Sequence, residues 1–335
     1  MQRILHIGVG PLGQRIMSEL IERKLGTLVG VVDVSPEIAG QPVNKFAKGA
    51  SADLRVVPSL EAFKDWDQVD ACVVTTSSDL RACAATFRTL LEHGKAVVST
   101  CEELVFPWLR HKALADELHA LAIKSGGKLL GTGVNPGFLM DALPTFATAV
   151  CKSVRGIRVY RIQDASSRRI PFQKKIGVGL SEEEFRRKTA DGSLRHVGLG
   201  ESLHFLSHYV GIPIERWEED LGPVRAERDI VSALGVVPKG GISGVRQVAR
   251  GYHDEGVSIH LEFQAAVGQL DPYDRIVIDG EPSMDLVING GVHGDVATCA
   301  ITLNAVARLR AAAPGLHTMA TVPLVSHQAP AANLK

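Results

Sequence analysis

A glycine-rich turn between a buried strand and an amphipathic helix constrains this chain more than any other feature. The apolar run Ile4, Leu5 and Ile7 stops at Gly8-Val9-Gly10-Pro11-Leu12-Gly13. The next segment places Leu12, Ile16, Met17 and Leu20 on one helical stripe. At this spacing Gly8 permits the tight turn, Gly10 lets a ligand approach the backbone, and Gly13 lets helix and strand pack closely. Pro11 suits the first helical turn, where a missing N–H leaves nothing unpaired. The free N–H groups and the macrodipole at the helix start favour a phosphate. Asp33 lies twenty residues after Gly13, at the end of the second apolar run, Leu28 to Val32. A carboxylate there can bind a ribose diol, so Gly8, Gly10, Pro11, Leu12, Gly13 and Asp33 are the expected dinucleotide site. No arginine follows in Val34-Ser35-Pro36 to meet a 2′-phosphate, so NAD is expected over NADP.

Downstream, short apolar runs alternate with helical stripes. Val56-Val57, Ala71 to Thr75, Ala96 to Thr100 and Lys128 to Gly131 read as strands. Ser78 to His93 and Trp108 to Ser125 read as helices, and a short helix is expected to open at Ser59 to Phe63. This alternation specifies an α/β Rossmann domain, a doubly wound parallel sheet, over residues 1–140. Beyond about residue 150 the pattern changes. Gly156 to Gln163, Val245 to Tyr252, Val257 to Val267, Arg275 to Ile278 and Met284 to Ile288 read as strands, some separated by hairpin-type turn groups at 253–256 and 279–282. Helices interrupt them at Ser181, where Ser181 and Glu184 form a capping box, and at Glu201 to Tyr209. Residues 141–293 are therefore expected to form an α+β substrate and dimerisation domain with an antiparallel sheet. Residues 294–335 should supply a last helix, roughly Asp295 to Ala312, and a tail packing back on the first domain. The Ala- and Pro-rich stretch from Gln328 is expected to lack order.

Charge and cysteine usage exclude other classes. Lys plus Arg equals Asp plus Glu at 37 each, so no net field recruits nucleic acid or an anionic membrane. No apolar run reaches bilayer length. The five cysteines, Cys72, Cys83, Cys101, Cys151 and Cys299, lack C-x-x-C spacing, which argues against a disulfide framework and a zinc site and suits a reducing cytosol. No metal is expected. The start, MQRILHIGVG, enters a strand without signal-peptide pattern, so a cytoplasmic location is the expectation.

Several residues could carry chemistry. Thr75, Thr76 and Ser77 follow the fourth strand and either line the cofactor ribose or cap the next helix. The fifth strand ends in Ser99-Thr100-Cys101-Glu102-Glu103. Thr100 is placed with the cofactor, and Glu102 or Glu103 either faces the reacting carbon or simply supplies negative charge to a helix start. Cys101 reads as a packing residue. Gly131-Thr132-Gly133-Val134-Asn135-Pro136-Gly137-Phe138 specifies an unusual backbone path, with Asn135, which offers a donor and an acceptor, a candidate contact for the cofactor as well as the substrate.

The segments VVSTCEELVFP (97–107), GTGVNPGFLMD (131–141), SSRRIPFQKKIGVGLSEEEF (166–185) and NGGVHGDVATCAITLNAV (289–306) resemble the 2,4-diaminopentanoate dehydrogenase and native amine dehydrogenase family, whose members have a dihydrodipicolinate-reductase-like Rossmann domain. The resemblance covers nearly the whole chain. It implies NAD(P)-dependent oxidative deamination of an amine, or the reverse, reductive amination of a carbonyl with ammonia. It also implies a catalytic glutamate, which falls on Glu102-Glu103; Glu102 is favoured because it lies nearer the strand end. The glucose-fructose oxidoreductase-like family places E-K-P after the fifth strand, whereas this chain has Cys-Glu-Glu, and a carboxylate suits a cationic amine or iminium better than an alcohol.

The substrate side is more open. Asn135, Phe138, Phe172, Ile176 and His293 are candidate substrate residues. Phe138, Leu139, Phe172 and Ile176 form either an apolar wall for simple amines or core. A substrate carboxylate would call on Arg161, Arg168, Arg169, Lys174 or Lys175, which otherwise read as solvated or dimer-facing. His293 either approaches the site or enters a helix capped by Asp295, the latter being the stronger reading. The alternatives are a 2,4-diaminopentanoate dehydrogenase, an imine or carbonyl reductase working without ammonia, and a non-catalytic NAD(P)-binding regulator. A symmetric homodimer is expected.

Overall fold

In a computed structural model, which describes residues 2–168, 170–254 and 256–330, the chain divides into two units. One comprises the residues up to Phe138 together with those from His293 onward; the other is Leu139–Val292.

The first unit contains β1 (Gln2–Ile7), α1 (Pro11–Glu22), β2 (Gly26–Val32), β3 (Val56–Val57), β4 (Ala71–Val74), α2 (Leu80–Glu92), β5 (Ala96–Ser99), α3 (Trp108–Ser125) and β6 (Lys128–Gly131). The chain then builds the second unit: α4 (Ala142–Ala147), β7 (Ser153–Asp164), α5 (Ile170–Lys175), α6 (Glu182–Ala190), α7 (Leu199–Val210), β8 (Arg216–Arg225), β9 (Ile230–Ser232), β10 (Gly235–Val237), β11 (Ile242–His253), β12 (Gly256–Ala266), β13 (Tyr273–Glu281) and β14 (Met284–Asn289). It returns to the first with α8 (Gly294–Ala311) and β15 (Gly315–His317).

The first sheet runs β15-β6-β5-β4-β1-β2-β3, with every pairing parallel. Strand order reverses between β1 and β4, and open parallel sheets take ligands at the carboxyl ends beside such a switch. Leu5, Val74, Val97 and Leu129 pack with residues of α2 and α3, while Ile4, Val73, Val98 and Leu130 pack with residues of α1 and α8. Cover on both faces explains why these strands read as continuous apolar runs.

Four details depart from the sequence reading. Ser59 to Phe63 is a turn, and the local helix is a single 3₁₀ turn at Trp66–Gln68. A seventh strand, β15, joins β6, with Leu316 N donating to His119 Nδ1 at 3.1 Å. His293, not Asp295, caps α8, its Nδ1 accepting from Val296 N at 3.5 Å. Gln328 is held, its N donating to Asn304 Oδ1 at 3.2 Å and its O accepting from Arg23 Nη2 at 3.4 Å. The rest of the tail, 331–335, lies outside the described residues.

In the second unit six strands run β14-β13-β7-β12-β11-β8. Their pairings are antiparallel as expected, except that β7 and β12 are parallel. The expected capping box opens α6: Ser181 Oγ accepts from Glu184 N at 3.3 Å and Glu184 Oε2 from Ser181 N at 3.0 Å. One sheet face buries Ile157, Val159, Ile259, Leu261 and Phe263, and α7 packs on β11 and β12. The opposite face carries cross-strand ion pairs, Arg246–Glu262 and Arg275–Asp285, both at 2.6 Å.

Candidate active site

The glycine turn has the geometry a dinucleotide needs. Gly8 has φ +97°, and a Cβ there would lie 2.8 Å from Thr75 O. A Cβ on Gly13 would lie 2.1 Å from Gly8 O, so only glycine lets α1 start this close to β1. At Gly10 a Cβ would meet nothing within 4 Å, which leaves the space open. Gly10 caps α1 without a side chain, Pro11 opens the helix, and its first turn has no acidic residue. Leu12 and Gly13 follow in that turn, so its N–H groups and positive dipole end suit a pyrophosphate.

Asp33 stands beside this turn and is tied to it. Its Oδ2 accepts from Val9 N at 2.6 Å and its Oδ1 from Ser35 N at 2.9 Å. Beneath lies His6, 1% exposed, which the sequence reading missed; the only signal was one polar residue in an apolar strand. Burial lowers its pKa to about 4, so the ring is neutral near pH 7. Its Nε2 lies 3.0 Å from Gly8 O, a carbonyl, which places the ring proton on that nitrogen. Thr75 Oγ1 donates to the same oxygen at 2.9 Å. Two donors thus fix the carbonyl that turns the loop.

A cleft of about 360 Å³ opens here, lined among others by Gly8, Asp33, Ser59, Glu61, Thr76 and Ser77. The cap of α2 is Asp79, whose Oδ1 accepts from Arg81 N at 2.7 Å and Ala82 N at 3.2 Å. Thr76 and Ser77 line the cleft, while the Thr75 hydroxyl is taken by the glycine loop.

At the end of β5, Ser99 Oγ donates to Val74 O and accepts from Cys101 N, both at 3.1 Å. Thr100 N donates to Val74 O at 3.1 Å, and its side chain is half-buried. The chain then makes a 3₁₀ turn, Glu102–Leu104. Glu103 is engaged: its Oε2 accepts from Leu80 N, the first N–H of α2, at 2.9 Å, and lies 2.9 Å from His111 Nε2. Glu102 is half-buried at the strand's carboxyl end. The Cys101 thiol is hydrogen-bonded with Cys83 and buried, both of which raise its pKa, as suits a packing residue.

The segment after β6 is shaped by close approaches. A Cβ on Gly131 would lie 2.6 Å from the Leu104 carbonyl carbon, so this glycine admits the turn that carries Glu102. Gly137 has φ +120°, and a Cβ there would meet Gly133 N at 2.5 Å. The Asn135–Pro136 bond is cis, and Asn135 and Phe138 are both half-buried.

Phe172 and Ile176 belong to the second unit, whereas Asn135, Phe138 and the helix cap His293 belong to the first. Ile176 is 3% exposed and Leu139 1%, both core positions, while Phe172 is half-buried under the Arg168 guanidinium, 3.9 Å from its ring centre. Arg161 is 2% exposed; its Nη1 donates to Asp274 Oδ1 at 2.9 Å and its Nη2 to Val292 O at 3.1 Å. Lys174 and Lys175 are exposed, and Arg169 lies outside the described residues. Among the described residues, one cluster has metal-like composition: Glu215, His253 and Asp254, two of them exposed. Its carboxylates sit 3.3 Å from different ring nitrogens, as in an ordinary surface ion pair. No described helix is long and apolar enough to cross a membrane.

Residues 138–332 match the family described as the 2,4-diaminopentanoate dehydrogenase C-terminal domain. The chain is similar to 2,4-diaminopentanoate dehydrogenase of Acetoanaerobium sticklandii, 26% identical over 333 residues, covering 96% of this chain and 93% of that protein. It is also similar to an amine dehydrogenase of Streptomyces virginiae, 21% identical over 349 residues, covering 95% of each. In fold it matches the solved amine dehydrogenase of Mycobacterium smegmatis, with a TM-score of 0.83 and 23% identity over 98% of this chain and 97% of that one.

Proposed function

The chain belongs to the 2,4-diaminopentanoate dehydrogenase family, and from that premise we propose that it is a nicotinamide-dependent amine dehydrogenase in which Glu102 works on the reacting amine. The reaction is the reversible oxidative deamination of an amine to a carbonyl and ammonia. One observation carries the assignment of Glu102: it stands half-buried at the carboxyl end of β5, whereas the Glu103 carboxylate accepts the first N–H of α2 and meets His111.

The glycine turn and Asp33 fit the phosphates and ribose of the cofactor, which supplies hydride transfer when bound. Glu102 takes the proton of the substrate ammonium, because only a neutral amine can release hydride from its carbon. Glu102 passes that proton on to solvent, and loss of the hydride leaves an iminium cation, which the re-ionised carboxylate stabilises. The same carboxylate then accepts a proton from the water that adds to the iminium carbon and returns it to the nitrogen, so that the C–N bond breaks, ammonia leaves and the carbonyl forms. In the amination direction the steps run backwards, with Glu102 returning protons to nitrogen.

NAD is the preferred cofactor in this reading, since Asp33 occupies the place where a 2′-phosphate would need a cation. Of the cations that could meet a substrate carboxylate, the buried Arg161 is already spent on Asp274 and Val292, which favours a simple amine over an amino acid as substrate. The exposed run Leu286, Val287 and Ile288 on edge strand β14, beside a broad open sheet face, supports a homodimer.

The test is a comparison of E102Q and E103Q under saturating ammonium and carbonyl substrate. E102Q should lose turnover on the order of a hundredfold or more, the scale of general-base and electrostatic groups. E103Q, which keeps an oxygen for Leu80 N–H, should remain within a few-fold of the parent. If E102Q stays active, Glu102 is not the working carboxylate.

A further inference from the structure

We infer that Glu61 is a second cofactor-selecting residue, which together with Asp33 sets the ribose end of the cleft against a 2′-phosphate. The inference rests on the proposed NAD preference. Among the described residues lining the cleft, the charged side chains are Asp33 and Glu61, and lysine, arginine and histidine are absent. A site for NADP would need the reverse balance, because a phosphate monoester carries close to two negative charges near pH 7.

The two carboxylates differ in how they are held. Asp33 is half-buried and both its oxygens accept backbone N–H groups, so part of its charge is absorbed by Val9 and Ser35. Glu61 is exposed on the turn that follows β3. A hydrogen bond from the Ser59 side chain holds its carboxyl below the usual range. Neutralising Asp33 alone therefore leaves one full negative charge in the cleft and disturbs the anchor of the glycine loop. This makes Glu61 the position from which selectivity is moved with least damage.

The measurement is a fluorescence titration of NADH and NADPH into the full chain and its E61Q, E61K, D33N and D33N/E61K variants. Gln at 61 keeps an acceptor for the Ser59 hydroxyl and removes only charge. The ratio of the NADPH to the NADH dissociation constant should fall several-fold in E61Q. It should fall further, on the order of tenfold or more, in E61K, and most in the double variant. The effect should shrink at high salt, as expected for an exposed charge. A ratio unchanged in both E61Q and E61K, with NADH still bound, overturns the role of Glu61 alone. A parent protein that prefers NADPH, or binds neither cofactor, overturns the NAD reading beneath it.

Discussion

Glu102 and Glu103 are neighbours of identical chemistry in different surroundings. Glu103 accepts the first N–H of α2 and meets His111, an arrangement equivalent to a helix cap supplied from a distant loop. Glu103→Ala is therefore expected to cost about 1–2 kcal/mol of stability, the usual scale for losing a cap or a buried partner. Urea unfolding would measure it, and a variant as stable as the parent would remove the capping role. The sequence placed the pair correctly at the end of a strand but left its members unseparated. What separates them is a bond to Leu80, a residue 23 positions earlier, and no local pattern carries that information. Asp33 stood out by its spacing, whereas its bond to Val9 N, which ties it to the glycine turn, was not legible.

The elements that hold the site depend on close backbone approaches, and these make sharp predictions. Gly131→Ala drives a Cβ to 2.6 Å from the Leu104 carbonyl carbon, so the turn carrying Glu102 must shift. Turnover should fall at least tenfold while NADH affinity is largely kept, since misplacement by about an ångström is costly to catalysis. Steady-state kinetics beside an NADH titration would check it; equal loss of both would mean general unfolding. The second sheet makes a prediction about acid. Burial alone would raise the Glu262 carboxyl, but hydrogen bonds from His260 and Arg246 outweigh it and hold the group at about 2. Asp70, bonded by Arg3, is likewise held at about 2. Both folded values lie below the unfolded ones, near 4, so the unfolded chain takes up protons first as the pH drops. Their stabilisation is complete above about pH 5 and is lost as the pH falls towards 2. Glu262→Gln should flatten that acid loss in denaturation midpoints taken between those limits; an unchanged slope would mean the pair contributes nothing. Some elements escaped the sequence reading for physical reasons. Strand β8 is an edge strand rich in charge and interrupted by Pro223, so it has no apolar alternation to detect. Strand β15 is three residues long and exists because β6 offers it a free edge.

At the scale of the molecule, the parallel first sheet was legible because burial on both faces writes unbroken apolar runs into its strands. The mixed order of the second sheet was not, since a single parallel pair, β7 with β12, is set by chain path and leaves the residue pattern of each strand unchanged. Its open face should bring two copies together, and sedimentation at low micromolar concentration should give a species of twice the 35.9 kDa chain mass. A monomer throughout would contradict that. Whether this chain joins ammonia to a carbonyl carbon is read out by isotope transfer. The protein is incubated with NADH, a panel of aliphatic and cyclic ketones and aldehydes, and ¹⁵N-ammonium, and the products are read by mass. The expected product is an amine carrying ¹⁵N, formed only when ammonium is present. An alcohol, or NADH oxidation that proceeds equally without ammonium, would contradict it.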